Sequence, residues 1–395
     1  MLTRTFEVRS SQGRSDVPWT ATTSQDWLHA TASGMTGNDL VLTANPAGLA
    51  NGQYYATVTV SSSLASILNT QVLRVGLRVG AADPAEVSLS ISPVYVLANP
   101  VEPYVYAHRG NADIGVYDVY DAHVVHTFTI PGASARAGVM AISHDGRTLF
   151  VNDDDGRKVH ALDAETGAWL REFPWPGSNN GLAYMRPSAH PLLILGGGSV
   201  FDADTAVLHT TTHGAGWYGG WLSMDGDPSD TFLYTQAKGL SPSDIGQFLV
   251  GYSALGADTV SLRLTNGSSV GSNGQDICVS HDGLRLYPTN GAPYEFPEIS
   301  TVSFMITRHL EGTAYPSNSL CAWNGLFFGG ANAYYGPHNV WVYRPDGSQV
   351  AKLNMHPGSY ISNLLQDTLA LSGDGTRLIG STEFPSFDFR IAPTP

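Results

Sequence analysis

The chain of 395 residues carries 20 Lys and Arg against 34 Asp and Glu, a formal net charge of −14, with 14% charged residues, 43 Gly and 10% aromatics. Such a balance repels phosphate backbones and anionic lipid headgroups, which argues against nucleic acid and anionic membrane as partners. The 42% hydrophobic content argues against disorder. Few charges, many Gly and many aromatics suit short strands joined by tight turns.

Residues 1–82 read as a small β-sandwich. Apolar and polar residues alternate in Thr5-Phe6-Glu7-Val8, Leu40-Val41-Leu42-Thr43, Tyr54 through Val60 and Val72 through Val79, with turn clusters at Ser33-Gly34, Gly37-Asn38-Asp39 and Asn45 through Gly52. Strands this short and turns this close imply two packed antiparallel sheets. Trp19 and Trp27 are expected in its core, since a small sandwich needs large anchors.

From residue 83 onward the chain repeats itself. Four Ser-x-Asp-Gly segments, Ser143-His144-Asp145-Gly146, Ser223-Met224-Asp225-Gly226, Ser280-His281-Asp282-Gly283 and Ser372-Gly373-Asp374-Gly375, each precede an apolar pair. Asp-Gly between apolar runs predicts a tight hairpin. Degenerate copies at Tyr104-Val105-Tyr106-Ala107, Leu192 through Leu195 and Leu326-Phe327-Phe328 complete a series of second strands centred near residues 105, 150, 193, 233, 286, 327 and 378. Third strands such as Val159 through Asp163 and fourth strands such as Trp169 through Phe173 follow most of them. Four strands in about 45 residues is one propeller blade, so the reading is all-β: an immunoglobulin-like sandwich over 1–82 and a seven-bladed propeller over 83–395. The last copy ends on a third strand, Phe387 through Ile391, and the spare segment Glu86 through Ile91 is expected to supply its fourth and close the ring.

Trp19-Thr20-Ala21-Thr22, Ser24 through Leu28, Asn51-Gly52-Gln53-Tyr54 and Val75 through Val79 give the first segment a resemblance to BACON domains, bacterial immunoglobulin-like modules; the resemblance implies carbohydrate binding, with a structural spacer as the other reading. Ala137 through Gly146, Leu149-Phe150-Val151-Asn152, Val159 through Asp163, Glu165-Thr166-Gly167 and Leu286 through Asn290 resemble the YVTN-repeat propellers of cell-surface and periplasmic proteins. Copies three, four and six depart from that pattern, with long insertions expected between their second and third strands.

Propeller function usually sits where the inter-blade links meet the turns between second and third strands. On that face fall Arg136, Asn180, His213, Trp217, Tyr218, Trp221, Gln275 beside Asp276, Tyr294, Tyr315, Tyr334, Tyr335 and Tyr360. Aromatic rings beside amides suit sugars, whose apolar faces stack while their hydroxyls hydrogen-bond. The expected ligand is therefore a glycan or a surface protein bound through Arg136, Asn180, Trp217, Tyr218, Trp221, Gln275, Tyr294, Tyr334, Tyr335 and Tyr360.

Two alternatives stand beside that reading. His108, His338 and His356, with Arg109, could serve a propeller-type lyase or lactonase, with or without the help of a metal; or the chain is a structural surface protein. No metal-ligand spacing and no cofactor motif is present, and Asp153-Asp154-Asp155-Gly156 reads as a solvated turn. No stretch approaches the roughly 18 apolar residues of a spanning helix, and no apolar run of signal length follows Met1. The family resemblance nonetheless implies an extracellular, cell-surface or periplasmic setting. Cys278 and Cys321 would then pair; in a reducing compartment they would be two small buried apolar residues.

Overall fold

A computed structural model describes the chain except residues 11–12, 65–66, 68–69, 82–83, 133, 176–180, 214–221, 254–258, 313–314, 333–336, 357–362, 384–385 and 395. It falls into two compact units, Met1–Asp83 and Pro84–Pro395.

In the first unit, Leu2–Glu7, Asp39–Ala44 and Leu28–Ala30 form one antiparallel sheet, and Ser33–Met35, Pro18–Thr23, Gly52–Ser61 and Gln71–Val79 form another. The alternation noted above sends Trp19, Leu40, Leu42, Val58 and Leu77 into the core with Trp27 and Leu28. Trp19 lies flat against Gly34, where a Cβ would come within 2.5 Å of the indole. Only glycine permits that approach, so the tryptophan and the glycine are one packing decision.

The second unit is a succession of antiparallel sheets. The first holds Tyr95–Ala98, Tyr104–His108, Asp113–Asp118 and Val124–Thr129; the second holds Ala137–Ile142, Thr148–Asp153, Lys158–Asp163 and Trp169–Pro174. The third has three strands, Leu182–Met185, Leu192–Leu195 and Val200–Asp202, and the fourth has five, Leu222–Gly226, Phe232–Ala237, Ser243–Ser253, Thr259–Val270 and, outermost, Thr210–His213. The fifth comprises Ile277–Val279, Arg285–Pro288, Glu295–Ser300 and Ile306–Glu311, and the sixth Pro316–Cys321, Phe327–Ala331, Val340–Tyr343 and Gln349–Leu353. The seventh comprises Ala370–Leu371, Arg377–Thr382 and Ser386–Ile391, completed by Glu86–Leu89 from the start of the unit.

Apolar residues fill every gap between neighbouring sheets. Tyr106, Ile114 and Phe128 meet Val151 and Leu162 between the first and second. Around the circle the same pattern returns to Val105 and Ala107, which meet Ile379, Phe387 and Phe389 between the seventh and the first. Glu86–Leu89 pairs antiparallel with Arg390 through Phe387. Ser88 Oγ donates to Asp388 Oδ1 at 2.5 Å, and Arg390 bonds both Glu86 and the Asn354 carbonyl. A strand from the beginning of the unit thus covers the edge that its end would leave open.

Three of the four Ser-x-Asp-Gly segments make the same turn. Ser143, Ser280 and Ser372 each donate Oγ–H to the following Asp at 2.6 Å, and Gly146, Gly283 and Gly375 sit at φ between +71° and +74°. The fourth differs. Ser223, Asp225 and Gly226 belong to the innermost strand Leu222–Gly226, and the turn is built two residues later on Asp227, whose Oδ1 accepts Thr231 N and Phe232 N. The expected insertions in copies three and four are also misplaced: second and third strands there are separated only by residues 196–199 and 238–242. Their extra length lies in the hairpin Ser243–Ser253/Thr259–Val270 and in the segment after Asp202.

Cys278 and Cys321, on the innermost strands of the fifth and sixth sheets, are bonded, with Cα atoms 5.8 Å apart. No helix among the described residues is long and apolar enough to cross a membrane.

Candidate functional site

Antiparallel pairing puts the start of each innermost strand beside the end of the second strand, as Tyr95 beside His108 and Leu222 beside Ala237. The links and turns at these ends make one face of the second unit. Several candidate residues stand there, in unlike states.

His108 is buried and fully engaged. Nε2–H donates to Gly138 O at 2.7 Å, and Nδ1 accepts Gly110 N–H at 3.1 Å. That pairing fixes a neutral ring, and burial pushes its pKa down to about 4. Arg109 is exposed. Arg136 is also exposed, with Nε 3.3 Å from Gly110 O and its backbone N–H held by Asp153 Oδ1 at 3.0 Å. Asp153, expected in a solvated turn, is 2% exposed and takes Gly156 N–H as well.

His338 is half-buried, and its enclosed Nδ1 has no hydrogen-bond partner among the described residues. His356 Nδ1 lies 2.9 Å from Ser386 Oγ and 3.5 Å from Asp388 Oδ1. Ser, His and Asp therefore meet, but in the wrong order for nucleophilic catalysis. The hydroxyl donates directly to the carboxylate at 2.8 Å, and one ring nitrogen faces both groups instead of relaying between them. Among the described residues, His108, His338 and His356 do not converge on a common metal position. The group that does is Asp118, Asp121 and His123, at the turn leading to the first sheet's outer strand. Its atoms already bond to one another and to backbone N–H groups.

Gln275 is half-buried, its N–H donating to Thr289 Oγ1 at 2.7 Å. Tyr294, in the loop before the fifth sheet's third strand, stands 42% exposed. Tyr315, in the link to the sixth sheet, is 49% exposed and meets it edge-on, with ring centroids 5.3 Å apart. Both tyrosines have left-handed backbones, φ +68° and +54°. That conformation costs a non-glycine residue about 1–2 kcal/mol. Two strained residues holding two large rings out in water is an arrangement that packing alone does not demand. Asn180, Trp217, Tyr218, Trp221, Tyr334, Tyr335 and Tyr360 lie outside the described residues, as does the side chain of His213.

The centre of this face holds buried charges, of which the sequence pattern places only Asp276 there. Lys238 follows the second strand of the fourth sheet, and its buried Nζ reaches both oxygens of Asp367, at 2.7 and 2.9 Å. Asp367 precedes the innermost strand of the seventh sheet and receives Val96 N–H from the first on its carbonyl at 3.1 Å. The pair joins sheets three places apart round the circle, so it spans the mouth of the central channel. Asp276 ties three innermost strands together. Oδ1 accepts Ser223 Oγ–H at 2.7 Å and Oδ2 accepts Ser319 N–H at 2.8 Å. Burial raises its pKa, Asp367 adds to that, and Lys238 opposes it. Asp225 accepts Val279 N–H at 2.8 Å and is pushed up to about 7, chiefly by burial. The signal for this cluster was rarity: Lys238 is one of only three lysines in the chain.

Sheets packed round an axis, with their innermost strands along it and their loops gathered at its mouth, define a β-propeller. The chain is similar to the β-propeller domain of Cps50 (Swd1) from Myceliophteria thermophila, with a TM-score of 0.58 at 12% identity over 78% of this chain and 100% of that one. At that identity the likeness carries the fold alone. No protein-family model and no curated protein matches.

Proposed function

We propose that the chain is an exported binding protein. In this reading the seven sheets are seven blades of YVTN-repeat type, the first unit is an immunoglobulin-like module of BACON type, and the loop face takes a neutral glycan. The Tyr294–Tyr315 pair carries the proposal. Two exposed rings at right angles offer one face and one edge to a pyranose. The buried charges of the same face are matched as Lys238 with Asp367. The Cys278–Cys321 bond supports export, because such bonds persist in oxidising compartments.

A surface protein is the second ligand class, favoured by the general use of loop-bearing scaffolds for protein recognition. The catalytic alternative finds less support, since His108 has both nitrogens occupied and the Ser386–His356–Asp388 contact is not a relay. A glycan array followed by calorimetry tests the proposal. Binding of a neutral oligosaccharide that is lost in Tyr294→Ala and Tyr315→Ala is the expected result; an array without hits, or hits unaffected by both substitutions, overturns the sugar reading.

A further inference from the structure

The third sheet has no full outer strand. After Val200–Asp202 the chain pairs back only briefly: Asp202 N–H donates to Val207 O and His209 N–H to Val200 O, both at 2.9 Å, around the single bridge Phe201–Leu208. The chain then departs. Thr210–His213 runs parallel beside Thr259–Val270 as the fifth strand of the fourth sheet. This departure leaves a groove of about 330 Å³ between the flank of the third sheet and the outer strand of the second.

Pro174, Trp175, Phe201 and Leu208 give the groove its apolar lining, and Leu208 is 56% exposed along it. Arg157 and the Lys158–Glu172 pair line it as well. Lys158 Nζ is matched by both oxygens of Glu172, at 2.9 and 2.8 Å. Arg157 is different. It is exposed, and its guanidinium has no hydrogen-bond or ion-pair partner among the described residues. Its backbone is left-handed at φ +51°, and its carbonyl is held by Trp175 N–H at 3.1 Å. The strained backbone is therefore anchored to the residue that lines the groove. In a chain of net charge −14, this cation, unmatched among the described residues, lines an apolar groove.

We propose that this groove binds a small apolar monocarboxylate, an alkanoate or arylalkanoate of modest length. The tail lies on Pro174 and Leu208 over the edge of Trp175, and the carboxylate takes the planar fork of Arg157. Glu172 in the same lining disfavours a second negative charge on the ligand. The volume, about 330 Å³, falls at the small end of ligand pockets, which favours a short chain or a single ring as the tail.

The test uses the full chain and four probes: octanoate, 4-phenylbutyrate and the two corresponding alcohols. The readout is the Trp175 indole N–H resonance, identified by its loss in Trp175→Phe; that N–H is enclosed and has no acceptor among the described residues, so it reports changes in the groove wall. Both carboxylates are expected to move it in a saturable way. Both alcohols, and octanoate with Arg157→Gln, are expected to bind at least about tenfold more weakly, the loss of one charge-assisted pair. No saturable shift with either acid, or equal affinity for acid and alcohol, overturns the proposal. The acid-against-alcohol comparison uses unaltered protein, so the outcome stands even if Arg157→Gln disturbs folding.

Discussion

Replacing Asp225 by Asn makes the sharpest test of the channel electrostatics. Burial, with Asp276 and Asp227 nearby, raises this carboxyl from its ordinary 3.8 to about 7, while the N–H groups of Val279 and Gly226 oppose the rise. A raised carboxyl binds its proton more tightly in the folded chain than in the unfolded one. Its contribution is fully present below about pH 4 and is lost as pH rises through about 7. The interval from 3.8 to about 7 corresponds to about 4 kcal/mol at most. Asp225 is half-buried, so water reaching the channel reduces this, and about 1–2 kcal/mol is the expected figure. Asn keeps a carbonyl for Val279 N–H and carries no charge at any pH. Urea unfolding of the second unit's transition, run from about pH 3 to 8, reads the difference between the two proteins. The expected curve starts near zero and climbs until the variant is more stable by about 1–2 kcal/mol at the alkaline end. A difference that stays flat with pH, or a variant less stable at pH 8, would refute the assignment of a neutral carboxyl to the channel wall.

Other outcomes follow from the same geometry. Reducing Cys278–Cys321, or changing both to Ser, opens a loop of 43 residues and should cost about 4 kcal/mol by loop-closure entropy, read as a lower urea midpoint with dithiothreitol than without. Lys238→Met leaves Asp367 charged and unmatched at the channel mouth and should cost about 2–3 kcal/mol, whereas Lys238→Met with Asp367→Leu should recover most of it; equal losses in both would show that packing, not charge, holds the link. A chain starting at residue 84 should fold as a monomer, while one starting at residue 92 exposes the edge of Ser386–Ile391 and should aggregate, visible by size exclusion.

Where local chemistry decided structure, the sequence was readable. Ser143, Ser280 and Ser372 bond to the Asp two residues on, and a Gly able to reach positive φ follows, so each motif carries its own turn. The spare strand was legible for a similar reason, since a missing fourth strand and an extra one balance. Ser223-Met224-Asp225-Gly226 had the same letters but a rival turn, Asp227 through Asp230, directly behind it. Asp227 took the capping role, and Asp225 was left in the innermost strand against Val279, where its carboxyl became the perturbed one. The partnership of Lys238 with Asp367 spans 129 residues and depends on ring closure, so no local pattern announces it. Likewise, the approach of Tyr294 to Tyr315 requires two separate loops to bend left-handed. The groove at Phe201 exists because one outer strand changes sheet, which strand propensity does not encode.

The central claim is that the loop face binds a neutral glycan through the two exposed tyrosines. Isothermal titration of an array-selected oligosaccharide into the unaltered chain and into Tyr294→Ala/Tyr315→Ala tests it most directly. The account predicts affinity at least about tenfold weaker in the variant. It also predicts an unchanged urea midpoint, because both rings stand in solvent, and no effect of Arg157→Gln on the same titration. Equal affinity in the unaltered chain and the double variant would contradict it.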